Sequence, residues 1–185
     1  MTDVTGTNDD DNLQGDPNSN DLLVGGRGDD LLAGGSGNDM LNGGRGEDIL
    51  IGGTGSDVML GGLDADIFRW SAGHLSAGAI DWVRDFSFNQ GDTLSFLDSA
   101  NGQAIEIVGV ERGYVSNTTS GDYAFPNASN GQELIITIRN SVYGREQKIV
   151  LIDAYSASSN ATWLSYLESA FGYTGGIENV DHVTL

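Results

Sequence analysis

The sequence predicts an all-β fold with one minor helix, in which a coil of short repeats precedes a β-rich C-terminal region. A nine-residue unit recurs without insertion over residues 25–60. Beyond residue 69 this period vanishes, and apolar residues alternate with polar ones as they do in strands. One apolar helical pattern, over residues 160–172, lies near the end of the chain. We therefore expect two domains, residues 1–69 and 70–185.

The repeat unit reads G-G-x-G-x-D-x-U-x, where U is a large apolar residue. Four units match at every defined position: residues 25–33, 34–42, 43–51 and 52–60. Three further units match less closely: residues 61–69 with Asp64 at the third glycine, residues 15–24 with one extra residue, and residues 6–14. Position six is aspartate in all of these units, and position eight is large and apolar.

This unit supplies the oxygen ligands that calcium prefers. Glycines permit positive φ angles, so the first six residues can form a tight turn whose carbonyl oxygens converge. The aspartate adds a carboxylate, and Ca²⁺ takes roughly six to eight such oxygens in irregular geometry. The candidate ligands are the position-six aspartates with the turn residues at positions two and four: Asp11, Asp21, Gly26, Gly28, Asp30, Gly35, Gly37, Asp39, Gly44, Gly46, Asp48, Gly53, Gly55, Asp57, Gly62, Asp64 and Asp66.

The last three residues of each unit, x-U-x, predict a short strand, so that two units make one coil. Stacked coils then form two parallel sheets with the position-eight side chains between them. Each ion is expected between turns that lie two repeats apart, with at most five sites in the chain. The expected pairs are Asp11–Asp30, Asp30–Asp48 and Asp48–Asp66 on one edge, and Asp21–Asp39 and Asp39–Asp57 on the other.

Residues 25–60 resemble the nonapeptide calcium-binding repeats of RTX proteins, which form a parallel β-roll. The alternative, a flexible Gly/Asp linker, does not require an apolar residue at every ninth position. Glycine entropy and carboxylate repulsion should leave the roll disordered without calcium. With calcium, the binding free energy becomes folding free energy.

The region from residue 70 predicts a β-rich cap. Candidate strands lie at 79–86, 93–97, 104–110, 133–139 and 147–153. In the predicted helix Asn160 can cap the start, Gly172 can end it, and one face is apolar. That face consists of Trp163, Leu164, Leu167 and Phe171. Outward-facing apolar residues of the last coils predict that these coils pack against the second region; they are Ile49, Ile51, Ile67, Met40, Val58 and Leu60.

Residues 66–98 resemble the segment that follows the last repeat in C-terminal target domains of type I secretion substrates, especially large RTX adhesins. The shared features are WSAG at 70–73, D-x-x-x-D-F at 81–86 and G-D-x-L at 91–94, with QKIVL at 147–151 and the terminal DHVTL. The resemblance implies an uncleaved C-terminal secretion signal that an ABC transporter recognises. The helix and the tail to Leu185 are the candidate recognition segments. It further implies a secreted or cell-surface bacterial protein, with cargo N-terminal to the repeats.

Charge and composition exclude several classes of partner. A formal net charge of −19 disfavours nucleic acid and anionic membranes. The chain has no cysteine, so disulfides and thiolate metal sites cannot form. No apolar run approaches the roughly 20 residues of a membrane helix, and the polar start lacks the features of a cleavable signal peptide. We expect no membrane insertion and a monomer.

We predict no catalytic or cofactor-binding residues, and so no enzyme. The histidines are His74 and His182, and neither HExxH nor GxSxG occurs. Two alternatives to the adhesin end stay open: the tail of a secreted protease or lipase, and a stand-alone module that binds a protein or glycan. Four further aspartates are either turn formers or ligands of one more ion: Asp81, Asp85, Asp92 and Asp98.

Overall fold

The computed structural model describes residues 2–98, 104–113, 133–152, 160–175 and 178–179. The strands of the repeat part are β1 (Asp3–Thr5), β2 (Asn12–Gln14), β3 (Leu22–Arg27), β4 (Leu31–Ser36), β5 (Met40–Arg45), β6 (Ile49–Thr54), β7 (Val58–Leu63) and β8 (Ile67–Ser71). A 3₁₀ turn at Ala72–His74 follows, and then β9 (Ile80–Val83), β10 (Thr93–Leu97), β11 (Ile105–Gly113), β12 (Glu133–Asn140), β13 (Glu146–Leu151), α1 (Asn160–Phe171) and β14 (Glu178–Asn179). Within these ranges no helix is long and apolar enough to cross a membrane.

The repeat strands are twice as long as the x-U-x pattern predicts. Each of β3 to β7 has six residues, running from position seven of one unit to position three of the next. The expectation of a six-residue turn is therefore wrong. The paired glycines stay within the parallel register, as Gly26 opposite Gly44 shows, so only positions four to six turn the chain.

Alternate strands build two parallel sheets. One has the order β1-β3-β5-β7-β9-β13-β12-β11-β14, and the other has the order β10-β8-β6-β4-β2. The register places position-eight residues opposite one another, for example Leu23 opposite Leu41 and Leu32 opposite Leu50. The predicted all-β class, with parallel sheets and one minor helix, is confirmed.

A single file of apolar side chains fills the space between the sheets. Position eight is completely buried from the second unit onward, in Leu23, Leu32, Leu41, Leu50, Met59 and Phe68. Val83 pairs with Met59 and Leu94 pairs with Phe68, so the file continues past the repeats. The repeat core and the core of the second region therefore form one apolar cluster.

The second region joins the roll through the sheet edges. Strand β9 adds to β7 and β10 adds to β8, both in parallel, while β13, β12 and β11 continue the first sheet. Of the six outward-facing apolar residues, only Val58 is buried, where its strand pairs with Trp82 of the second region. The others remain half-buried: Met40, Ile49, Ile51, Leu60 and Ile67. The boundary expected at residues 69 and 70 thus falls within continuous sheets, and the two-domain division stays a prediction.

Helix α1 closes the far end of the core. Trp163 and Leu167 are completely buried, and Leu164 and Phe171 are half-buried. Gly172, with a φ of 67°, follows the last helical residue, as the sequence predicts. The rings of Trp163 and Tyr166 pack with Phe86 and Phe88, and the Leu94 amide donates a 2.8 Å hydrogen bond to the Tyr166 hydroxyl.

Candidate metal centre

The position-six aspartates form two rows, one at each edge of the roll where the chain turns between the sheets. We name them ladder one (Asp11, Asp30, Asp48, Asp66 and Asp92) and ladder two (Asp21, Asp39, Asp57 and Asp81). In both, the backbone N–H of each aspartate donates to Oδ1 of the next, over 2.8–3.0 Å. All five aspartate pairs predicted from the sequence are brought together in this way.

The second carboxylate oxygen separates the aspartates into two classes. Five of them bury an Oδ2 atom that has no hydrogen-bond partner in the described part of the chain: Asp30, Asp39, Asp48, Asp57 and Asp66. Each of these residues is at most 2% exposed. A buried carboxylate oxygen without a donor is costly, and this is the environment in which a carboxylate coordinates a metal.

In the other four aspartates Oδ2 accepts at least one hydrogen bond. Asp11 accepts from the Thr7 amide over 2.6 Å, and Asp21 accepts from the Asp16 amide over 2.7 Å, each through Oδ2. Asp92 Oδ2 accepts from the Ser87 amide over 2.8 Å. Asp81 Oδ2 accepts from the Trp70 indole over 2.6 Å and from the Gln147 amide. Among the ladder aspartates, all of which the structure describes, an unpartnered buried Oδ2 therefore occurs only in units that begin with paired glycines.

The first glycine of each unit makes room for that oxygen. A β-carbon on Gly25 would overlap Oδ2 of Asp30 and would lie 2.6 Å from the carbonyl oxygen of Gly43, in the next coil. The same point at Gly34 lies 2.7 Å from the Gly52 carbonyl oxygen. At Asp30, Asp39 and Asp48, a carbonyl oxygen from the next coil thus approaches the place where the unpartnered carboxylate oxygen lies.

The glycines at positions two and four have a different reason to be glycine. Gly44 and Gly46 both have a φ of 118°, a region that L side chains rarely adopt. Asp64 holds a positive φ of 81° in the glycine's place and is exposed. The sequence prediction chose positions two and four as carbonyl ligands and missed position one, although the pairing of two glycines signalled a separate role for the first.

Burial makes these carboxylates reluctant to ionise. It raises the pKa of Asp39 and of Asp48 to about 6, and that of Asp66 to about 7. The pKa of Asp57 is raised by burial first and by the neighbouring Asp81 charge second. A cation would favour the ionised forms of all four, so cation binding and proton binding compete at these sites.

The ladders favour a hard cation held by mixed oxygens. In the described ranges no three His, Cys, Asp or Glu side chains converge as a metal cluster, and the oxygens near the unpartnered carboxylates of Asp30, Asp39 and Asp48 are backbone carbonyls. Neither sulfur nor imidazole belongs to either ladder. Buried carboxylate oxygens beside carbonyl oxygens fit Ca²⁺, which accepts several oxygens in flexible geometry.

The four aspartates that the sequence left as either turn formers or ligands lie in different environments. Asp81 and Asp92 are the last rungs of the ladders, and both are buried. Asp85 accepts from the amides of Gly61 and Gly62 over 2.9 and 3.0 Å, and Asp98 is exposed. The short signal that could have found the two rungs is D-x-U-x, which recurs at 81–84 (DWVR) and 92–95 (DTLS).

A second, exposed row accompanies each ladder at position five. The Asp29 amide donates to Asp10 Oδ1 and the Glu47 amide to Asp29 Oδ1, over 2.9 and 2.8 Å. On the other edge the acceptors are Asn20, Asn38 and Ser56, which receive the amides of Asn38, Ser56 and Ile80. These outer rows donate toward the N-terminal coil, whereas the aspartate ladders donate toward the C-terminal coil.

Comparison with known proteins identifies the repeats. The family model described as the RTX calcium-binding nonapeptide repeat (4 copies) matches residues 5–41, 18–50 and 33–68. No curated protein matches the chain. Among solved structures, the AlgE6R3 subunit of the Azotobacter vinelandii mannuronan C5-epimerase matches with 23% identity over 97% of this chain and 94% of that chain, at a TM-score of 0.33. The repeats indicate a calcium-dependent β-roll module.

Proposed function

Because residues 5–68 carry RTX calcium-binding nonapeptide repeats, we propose that the chain is the calcium-folded C-terminal end of a larger exported protein, an adhesin. Calcium outside the cell folds the roll, and the second region carries the address for type I secretion. The protein acts as a structural and export module without catalysis, at the cell surface or beyond it. Extracellular modules bind calcium at about 10⁻⁴–10⁻³ M, so such sites fill only after export.

The observation that carries the calcium role is the set of five buried, unpartnered Oδ2 atoms in the units that begin with paired glycines. Bound calcium supplies the positive charge that these oxygens need. The backbone amides hold Oδ1 of each aspartate, and the first glycine of the unit keeps Oδ2 open. Stacked coils would otherwise bring buried negative charges together, which opposes folding.

Circular dichroism in calcium and in EGTA tests this role. We expect strand content to fall strongly in EGTA and to return on adding calcium, with far less effect from magnesium. The variants Asp39→Ala and Asp48→Ala each remove a shared ligand, so both should lower calcium stoichiometry or cooperativity. The matched control is Asp9→Ala, since Asp9 is exposed. Equal strand content with and without calcium would contradict the calcium role.

The export role is supported by the resemblance of residues 66–98 and by an accessible helix face. Glu168, Ser169 and Ala170 of α1 are exposed, while Trp163 and Leu167 face the core. Residues 180–185, which carry the terminal DHVTL, lie outside the described residues. The WSAG and D-x-x-x-D-F motifs lie where the second region meets the roll, so those features have a structural use in addition to any role in export.

Fusing residues 70–185 to a passenger tests export. Co-expression with a type I transporter should move the fusion into the medium, and omission of the transporter should retain it. Glu168→Lys on the exposed helix face is expected to lower export without changing the melting temperature. Ser165→Ala, at another exposed position of the same helix, is the matched control. Export independent of the transporter would contradict the secretion role.

The hairpin between β12 and β13 favours one alternative, a module that binds a protein or glycan partner. Val142 and Tyr143 are 59% and 62% exposed, and Arg145 lies 5.5 Å from the Tyr143 ring centroid. Exposed aromatic rings beside a cation suit sugar or peptide ligands. Glycan-array binding that is lost in Tyr143→Ala, in a chain that no type I transporter exports, would favour this role.

A further inference from the structure

We propose that Asp81 and Asp92, which lie outside the nonapeptide repeats, complete two further calcium sites, one with Asp57 and one with Asp66. This inference rests on the proposed calcium role and extends it beyond the repeat sequence. The two sites would join the roll to the second region through bound ions.

The backbone around Asp81 and Asp92 repeats that of the units. The residue after each position-six aspartate donates its amide to the aspartate carbonyl oxygen one coil earlier: Ile49 to Asp30, Val58 to Asp39 and Ile67 to Asp48, each over 2.8 Å. Trp82 donates to Asp57 and Thr93 to Asp66, also over 2.8 Å. Asp81 and Asp92 therefore occupy position six of two coils whose sequence has lost the paired glycines.

The side chains keep the same relation. The Asp57 amide donates to Asp81 Oδ1 over 2.9 Å, and the Asp66 amide donates to Asp92 Oδ1 over 3.0 Å. Two residues after each aspartate, Val83 and Leu94 fill the apolar file as position eight does within the repeats. The backbone hydrogen bond, the carboxylate contact and the buried apolar residue therefore all keep the relation that they have within the repeats.

Each of the two sites contains a buried carboxylate oxygen without a hydrogen-bond partner, which points to a cation. Asp57 and Asp66 are completely or almost completely buried, and Oδ2 of each has no partner in the described part of the chain. Asp81 Oδ1 and both oxygens of Asp92 accept a single donor each among the described residues. A carboxylate oxygen has two lone pairs, so these oxygens can still coordinate an ion.

The opposite ends of the ladders differ. Asp11 and Asp21 already use Oδ2 to accept amides of their own turns, so the pairs Asp11–Asp30 and Asp21–Asp39 offer no unpartnered Oδ2 on the N-terminal aspartate. The geometry therefore shifts the set of sites by one coil toward the second region.

Calcium stoichiometry of the full chain tests the shift. We expect Asp92→Asn and Asp81→Asn each to bind one ion fewer than the wild type in isothermal calorimetry. The matched controls are Asp11→Asn and Asp21→Asn, which change the first rung of each ladder and should keep the wild-type count. Unchanged stoichiometry in both Asp81→Asn and Asp92→Asn, or loss of an ion in both controls, would overturn the proposal.

Terbium luminescence gives a local readout that does not depend on counting. The Trp70 indole nitrogen lies 2.6 Å from Asp81 Oδ2, so Tb³⁺ at the Asp57–Asp81 site should be sensitised by Trp70. Emission excited through tryptophan should fall in Trp70→Phe and in Asp81→Asn and should persist in Asp92→Asn. Full emission from folded Asp81→Asn would overturn this site.

Two outcomes separate this inference from the proposed function. A wild type that binds no calcium would contradict the proposed function itself. A wild type that binds calcium while both rung variants keep every ion would leave that function intact and refute only the two added sites. If Asp81→Asn does not fold, Asp92→Asn decides the count and Trp70→Phe decides the terbium result.

Discussion

At the scale of the residue, the two carboxylate oxygens of the position-six aspartate have different roles. Oδ1 accepts a backbone amide from the preceding coil and so fixes the stacking of the coils. Oδ2 stays without a donor in the intact units and is available to an ion. Asparagine at this position could keep the first role and would lose the charge needed for the second.

The raised pKa values predict that protons partly replace calcium. Burial raises the pKa of Asp39 and Asp48 to about 6 and that of Asp66 to about 7, above the ordinary value of 3.8. The folded roll therefore takes up protons that the unfolded chain releases, so its stability without calcium falls as pH rises through these values. In EGTA we expect more strand content by circular dichroism at about pH 5 than at about pH 8.

Calcium affinity should change in the opposite direction. Protons and calcium compete for the same carboxylates, so affinity measured by calorimetry should weaken as pH falls from about 7.5 to about 5.5. The pH range of the first effect is the sharper test, because carboxylates with ordinary pKa values of about 4 stay mostly ionised between about pH 8 and about pH 5, so surface charge repulsion alone would change little there. Strand content in EGTA that does not change with pH would contradict the raised pKa values.

The apolar file predicts a large penalty for one truncation. Leu41 is completely buried between Leu23 and Met59, so Leu41→Ala should lower the free energy of unfolding in calcium by about 2–5 kcal/mol. Leu63→Ala is the matched control, because Leu63 is 50% exposed and its truncation should cost below about 1 kcal/mol. Urea denaturation measures both, and equal losses would contradict the described core.

At the scale of the element, the coil is held at each turn by two rows of hydrogen bonds that run in opposite directions. The buried aspartate rows tie each coil to the next, and the exposed rows tie each coil to the previous one. Slippage of one coil along its neighbour would break both rows. This arrangement fixes the register of strands that each contain two glycines.

The outer row predicts a modest effect at an exposed residue. Asn38 Oδ1 accepts the Ser56 amide over 2.9 Å, so Asn38→Ala should lower stability in calcium by about 0.5–1.5 kcal/mol. Glu47→Ala is the control, since within the described residues the Glu47 side chain accepts no amide of the next coil. Thermal unfolding followed by circular dichroism measures both, and an unchanged Asn38→Ala would assign the row no stabilising role.

The sequence predicts the repeat coils well because each unit forms the same turn and the same strand from the same types of residue. Strand length was underestimated because paired glycines suggest a turn, yet Gly26 and Gly44 remain paired within the sheet. The last rungs were hidden because Asp81 and Asp92 follow their partners by 24 and 26 residues, whereas the regular spacing is 18. The alternation of apolar and polar residues predicted β12 and β13. The pairing of β13 with β9 joins segments that are far apart in the sequence, so no pattern within a short segment predicts it.

At the scale of the whole molecule, the two regions share sheets and core. The first sheet runs from β1 through the roll to β14, and one apolar cluster extends from Leu13 to Trp163 and Leu167. Folding of the second region would present ready edges, β9 and β10, for the last repeat strands. The roll can then grow from its C-terminal end, where parallel pairing is otherwise slow to start.

This continuity predicts one unfolding transition in calcium. Melting curves from far-ultraviolet circular dichroism and from tryptophan fluorescence should coincide, because Trp70 and Trp163 belong to the same cluster as the repeat leucines. In EGTA the two curves should separate, since the roll loses its ions while the second region keeps its core. Separate transitions in saturating calcium would favour two independent domains.

The stacking of the coils also fixes how length changes on folding. One coil takes 18 residues, which span roughly 60 Å when extended, yet it advances the roll by only about 4.8 Å, the spacing of neighbouring strands. Each coil that closes therefore draws in more than 50 Å of chain, by the same estimate. Under a tensile load the folded protein would release this length one coil at a time, and each release would expose two buried aspartates to water, one from each ladder.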